Sequence, residues 1–117
     1  MRKRIIILED EKDILEVIQF ILEEEGYDVI AFNHFEPLEE IIEFQPNLVL
    51  LDVRLSDGYG HLLCSQLKAN PTTSYLPVIL VSGATNLEKI AKDYGADNFL
   101  EKPFGMDELV KMVKHYI

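Results

Sequence analysis

Three carboxylates, a hydroxyl and an ammonium are the side chains most able to do chemistry in this 117-residue chain. Each follows a short apolar run. Glu9 and Asp10 follow Ile5-Ile6-Ile7-Leu8, Asp52 follows Leu48-Val49-Leu50-Leu51, Ser82 follows Val78-Ile79-Leu80-Val81, and Lys102-Pro103 follows Phe99-Leu100-Glu101. If the runs are strands of one sheet with a common direction, these residues meet at one edge. Three carboxylates in one cleft repel one another by roughly 1 kcal/mol or more per close pair, even when solvated. A divalent cation removes that cost. Oxygen donors without thiolate or imidazole suit Mg²⁺, with Mn²⁺ as a substitute, better than zinc. A carboxylate can also act as a nucleophile and become an aspartyl phosphate. Lys102 would balance the charge of a phosphoryl oxygen, and the Ser82 hydroxyl would donate to another. Phosphoryl transfer requires mainly positioning and charge neutralisation. Singly, each residue has an ordinary explanation: Asp10 as a helix cap, Asp52 as a loop residue, Ser82 as a strand end, Lys102 as a solvated charge. Their joint placement at strand ends is what favours chemistry.

The elements that would position them are legible from periodicity. Arg4 to Leu8 predicts a first strand, and Ile14, Val17, Ile18 and Ile21 a helix that Gly26 stops. Val29 to Phe32 predicts a second strand, and Pro37 to Phe44 a short helix that Pro46 breaks. The third strand, Leu48 to Leu51, is apolar without alternation, as in a strand buried on both faces. Gly58 and Gly60 mark a loop before a third helix over Leu62 to Leu67, which Asn70-Pro71 ends. Pro77 to Val81 predicts a fourth strand, Leu87 to Tyr94 a helix closed by Gly95, and Phe99-Leu100 a brief fifth strand. Met106, Leu109, Val110 and Val113 define a last helix. Strict alternation predicts an α/β three-layer sandwich with a five-stranded parallel sheet. For five strands the common order is 2-1-3-4-5, the flavodoxin-like (βα)5 winding, with ligands bound outside the strands' carboxyl ends.

Composition narrows the function classes. The length suits one domain, residues 1–117, and no linker, repeat or low-complexity segment divides it. A net charge of −10 argues against direct nucleic-acid binding. No apolar run reaches the ~20 residues that span a bilayer, which argues against a membrane partner. The basic start Arg2-Lys3-Arg4 precedes a run too short for a signal peptide, so the expected location is cytoplasmic. The single cysteine, Cys64, cannot form an intrachain disulfide and lies among leucines, as a buried structural thiol would. His34, His61 and His115 lack metal-ligand spacing and read as surface residues.

Four stretches together carry a resemblance. Ile5-Ile6-Ile7-Leu8-Glu9-Asp10-Glu11, Leu50-Leu51-Asp52-Val53-Arg54-Leu55, Val78-Ile79-Leu80-Val81-Ser82-Gly83-Ala84 and Gly95 to Phe104 occur in order. At this spacing the chain resembles, over essentially its whole length, a CheY-like response-regulator receiver domain of two-component signalling. The resemblance implies that Asp52 is the phosphoacceptor. It implies that Asp10 binds Mg²⁺ directly, Glu9 largely through water, and the Arg54 backbone carbonyl as a further ligand. Ser82 and Lys102 would contact the phosphoryl group, Phe99 would be the switch aromatic beside Ser82, and Lys102-Pro103 would be a cis peptide. It further implies a phosphoprotein that takes its phosphoryl group from a sensor histidine kinase or a histidine phosphotransfer protein, as in a phosphorelay. Such a domain is not an enzyme on an outside substrate, although it assists its own phosphoryl transfer and hydrolysis. It signals to a downstream target that the sequence does not name, and a phosphorylation-dependent homodimer is compatible with it.

The chain departs from the family pattern at three places. Glu9 replaces the commoner aspartate. Ser56 stands where a proline is usual, which predicts a looser loop after Asp52. The stretch from Ser82 to Gly95 is shorter than in many receivers, which predicts a short or shifted fourth helix. Other readings of the fold fit less well. A flavin- or nucleotide-binding module would cradle phosphate in the first strand–helix loop, where Glu9-Asp10-Glu11 would repel it. A phosphatase with an aspartyl nucleophile would want an acid two residues on, where Arg54 stands. A degenerate receiver serving only to bind proteins would not need the acids, Ser82 and Lys102 intact.

Overall fold

The structure is a computed structural model that describes residues 2–117. Five strands form one parallel sheet: β1 (Arg4–Leu8), β2 (Asp28–Phe32), β3 (Leu48–Leu51), β6 (Val78–Ser82) and β7 (Asn98–Glu101). Two further strands, β4 (Arg54–Leu55) and β5 (Gly58–Tyr59), pair antiparallel as a separate hairpin. The sheet order is β2-β1-β3-β6-β7, which is the expected 2-1-3-4-5 winding once the hairpin is set aside. The helices are α1 (Lys12–Glu24), α2 (Leu38–Glu43), α3 (Gly60–Ala69), α4 (Leu87–Tyr94) and α5 (Met106–Tyr116).

Period-two side-chain alternation divides the core in two. Ile5, Ile7, Leu48, Leu50, Ile79, Val81 and Leu100 pack with Leu15, Ile18 and Leu22 of α1 and Leu109 and Val113 of α5. Ile6, Leu8, Val49, Leu51, Val78 and Leu80 pack with Ile41 of α2, Leu63 and Leu67 of α3, and Leu87 and Ala91 of α4. Both faces are covered, so β1, β3 and β6 need no polar alternation. At roughly 1.5–3 kcal/mol per fully buried aliphatic side chain, these strands are the main fixed frame of the site.

Several element boundaries shift by a residue or two from the sequence reading, and those nearest the site matter most. Gly60 is the first residue of α3 rather than part of a loop. Its cap position, Tyr59, makes no side-chain capping bond, so the usual start signal is missing from the sequence. The segment after Asp52 is not loose: Arg54 pairs with Tyr59 and Leu55 with Gly58. Pro77 lies outside β6 and contributes only its carbonyl, which accepts from the Val49 N–H at 3.0 Å. Helix α4 is eight residues long and ends at Gly95, whose φ of 80° is the left-handed geometry a glycine C-cap supplies.

Candidate functional site

Parallel strands deliver their carboxyl ends to one edge, and the backbone fixes each residue there. The Asp52 N–H donates to the Leu8 carbonyl at 2.8 Å, extending the β1–β3 ladder one step past the strands. The Glu9 N–H donates to the Phe32 carbonyl at 3.0 Å. The Lys102 N–H donates to the Ser82 carbonyl at 2.9 Å. Glu9, Asp52 and Lys102 are therefore the first side chains beyond a rigid sheet, whereas Ser82, expected just after its strand, is the last residue of β6. Glu9, Asp52 and Ser82 are buried, with Glu9 only 1% exposed.

Lys102 lies at the centre of the charge cluster. Its Nζ is 2.8 Å from Glu9 Oε1, 3.3 Å from Asp52 Oδ2 and 3.8 Å from Glu11 Oε1. Burial disfavours the ammonium, but Glu9 and Asp52 outweigh it and hold the Lys102 pKa above its ordinary value. Burial pushes the Glu9 carboxyl up to about 7, against the lowering effect of Lys102 and with a further raise from Asp52. Glu9 Oε2 accepts from the Glu11 N–H at 3.1 Å. Glu9 Oε1 is buried against the Lys102 ammonium.

The acids do not converge as a ready cage. Among the described residues, no three carboxylate, imidazole or thiol groups stand close enough to hold a metal as a set. The ammonium of Lys102 stands between Glu9 and Asp52. Asp10 is exposed, and its Oδ1 accepts from the Ser56 N–H at 3.1 Å. The donors nevertheless fit a hard divalent cation. Glu9 offers a buried carboxylate oxygen whose contact is a lysine ammonium that a cation could replace, and Asp10, Asp52 and Arg54 all line the adjoining cleft, an all-oxygen donor set. Ser82 Oγ accepts from the Ala84 N–H at 3.2 Å, which leaves its hydroxyl proton free to donate elsewhere. The Lys102-Pro103 peptide is cis. Phe99 is half-buried on β7, opposite Leu80 of β6, and packs against the α2–α3–α4 side of the core.

The cleft has a volume of about 1060 Å³, and its walls extend past the charged residues. Ile14, Val17, Tyr59, His61, Ile90 and Phe104 also line it. Sequence reasoning missed this role for His61. It is half-buried rather than on the surface, with its ring 5.6 Å from Tyr59 and 4.7 Å from Tyr94. No motif marks it; it falls in the first turn of α3 only because that helix starts at Gly60. Gly60 was also missed. A Cβ there would fall on the Asp52 carbonyl oxygen, and the Gly60 N–H donates to the Val53 carbonyl at 2.8 Å. Only glycine lets α3 begin directly against the backbone of the acceptor position. Cys64 is buried, and burial pushes its thiol up to about 11, so it is no nucleophile.

A five-stranded parallel sheet wound 2-1-3-4-5, with acids and a lysine at the carboxyl ends of its strands, defines a flavodoxin-like fold with its cleft at the switch point. The chain belongs to the response regulator receiver domain family, whose model matches residues 5–114. It is thus a response-regulator receiver domain of two-component signalling. Response regulator ArlR of Staphylococcus saprophyticus is 35% identical over 114 residues, covering 95% of this chain and 50% of that protein. The chain spans about half the length of that curated relative. A candidate response regulator from Chloroflexus aurantiacus J-10-fl superposes with a TM-score of 0.92 at 28% identity, covering 99% of this chain and 98% of that one. The beryllofluoride-activated receiver domain of DrrB has a TM-score of 0.80 at 28% identity, covering 99% of this chain and 97% of that one. Among the described residues, no helix is long and apolar enough to cross a membrane.

Proposed function

We infer that Asp52 accepts a phosphoryl group in a Mg²⁺-dependent reaction and that the chain then changes conformation to signal to a partner. The observation that carries this reading is the placement of Asp52: buried, one residue beyond a central strand, with the Lys102 ammonium at 3.3 Å and Glu9 beyond it. The donor is a phosphohistidine of a sensor kinase or phosphotransfer protein. A carboxylate oxygen of Asp52 attacks phosphorus, the P–N bond breaks, and the electron pair leaves with the imidazole. Lys102 balances charge on the phosphoryl oxygens, exchanging its contact with Asp52 for one with the product. The Ser82 hydroxyl donates to another oxygen. Bound Mg²⁺ would be held by Asp10, Asp52, the Arg54 carbonyl and, largely through water, Glu9, and would neutralise developing charge. The domain assists this transfer and its reversal by hydrolysis and acts on no outside substrate. Residues 1–117 act as one domain, in the cytoplasm, and the existence of a beryllofluoride-activated receiver of the same fold supports activation by a phosphoryl group.

The test is incubation with acetyl phosphate, with and without Mg²⁺, read by intact mass. One added phosphoryl group that requires Mg²⁺ is expected, and Asp52→Asn should abolish it because the anionic nucleophile is gone. Labelling of Asp52→Asn at the wild-type rate would move the acceptor elsewhere.

A further inference from the structure

The acids at the sheet edge are not held by the sheet alone. Asp10 is exposed, and its one hydrogen bond in the site comes from the Ser56 N–H, on the turn of the β4–β5 hairpin. Where Asp10 points therefore depends on where that hairpin sits. The same hairpin carries Arg54, which lines the cleft. Each strand of the hairpin is only two residues long and pairs with no strand of the main sheet, so it needs anchors from outside.

Two-residue hairpin turns are usually made with left-handed residues, whose twist matches that of the strands. Here the turn residues are Ser56 and Asp57, and neither has positive φ. This turn lacks the local geometry that would define the hairpin by itself. Its neighbour supplies a clamp. Asp57 Oδ1 accepts from the Phe35 N–H at 2.8 Å, bridging to the segment between β2 and α2. The Phe35 ring lies against Gly58, where a Cβ would collide with it, and Phe35 packs on the core. On the inner side, buried Leu55 anchors the hairpin in the same core cluster.

We propose that Asp57 is a positioning residue for the metal site: its bond to the Phe35 N–H holds the β4–β5 hairpin where Ser56 can orient Asp10 and Arg54 can face the cleft. Asp57 touches neither phosphoryl group nor metal. It acts through the hairpin, as outer groups around a metal do when they fix ligand orientation. The inference rests on the metal-assisted reading of the site and goes beyond it in assigning a residue outside the cleft.

The experiment is a Mg²⁺ titration of wild type, Asp57→Ala and Asp57→Asn. Affinity is read from Ser56 and Asp10 amide shifts by NMR, at a temperature where thermal melts show every variant folded. Asp57→Ala removes the acceptor and should weaken Mg²⁺ about tenfold. Asp57→Asn keeps an acceptor oxygen but loses the charge, and should restore binding to near wild type. The Phe35 amide should lose its hydrogen-bonded shift in Asp57→Ala alone. Equal weakening in both variants would show that long-range charge, not the clamp, matters, and would overturn the proposal. Wild-type affinity in Asp57→Ala would overturn it as well. Absence of Mg²⁺ saturation in the wild type would instead sink the functional reading itself, and the inference with it.

Discussion

Glu9 brings a shifted proton equilibrium to the site. Its carboxyl is held near 7 by burial, against an ordinary 4.5. The folded state therefore retains a proton that the unfolded chain releases between these values. A raised carboxylate pKa contributes stability that is complete below about 4.5 and is lost as pH rises through about 7. In the presence of a chelator, the melting temperature should fall across that window. Glu9→Gln should remove the slope and be more stable than wild type above it, by on the order of 2–3 kcal/mol. Mg²⁺ should flatten the wild-type profile, since a cation favours the ionised carboxylate. Chelated melts over that range check this, and a profile unchanged in Glu9→Gln would assign the titration to another group. The glutamate, where the family commonly has aspartate, reaches far enough for Oε1 to contact Lys102 while Oε2 takes the Glu11 N–H.

Between residue and molecule, the elements act through the ends they bring together. Helix α3 begins so close to β3 that Gly60 has no room for a side chain. Gly60→Ala should push the two apart and destabilise the fold by about 1–3 kcal/mol, as overpacking does. Gly83→Ala, where a Cβ meets nothing within 4 Å, should stay within about 0.5 kcal/mol. Denaturant melts of the two variants decide this, and equal stability would mean that α3 slides without cost. The contrast also shows what was legible in the sequence. The sheet strands were readable because wholly apolar runs such as Leu48–Leu51 have few other uses, and the chemistry-bearing residues follow them directly. Gly60 was not, because helix α3 lacks a capping side chain and a glycine before a helix reads as a loop. The β4–β5 hairpin was hidden because two-residue strands carry no period. Nor could the sequence show that Lys102 lies between Glu9 and Asp52 while Asp10 turns to Ser56, since side-chain pairing depends on tertiary placement.

Across the whole molecule, the strands that end at the site are packed into both halves of the core, and two consequences are expected. Residual repulsion among Glu9, Asp10 and Asp52 is relieved by a cation, so Mg²⁺ should raise the melting temperature by mass action, and Asp10→Ala should lose most of the rise. An undiminished rise in that variant would place the metal elsewhere. The second consequence concerns how a signal leaves the site. A phosphoryl group on Asp52 adds charge and strong acceptor oxygens. Ser82 ends the strand beside it, with its Oγ engaged only by the Ala84 N–H, and should turn its hydroxyl toward the new oxygens. The turn draws on Gly83 and Ala84, small residues that can absorb a backbone change. It also opens space under α4, whose Leu87 and Ala91 share a core cluster with Phe99. Phe99 is already half-buried there, and its ring has no hydroxyl to hold it in either position. Packing alone sets its balance, so its inward and outward states should lie close in energy before phosphorylation. Metal-bound structures with and without beryllofluoride should show Ser82 and Phe99 in different rotamers. Relaxation-dispersion NMR of the free protein should show exchange across residues 82–104. Identical rotamers in both states, with no such exchange, would leave Asp52 as the acceptor but send its signal through another surface.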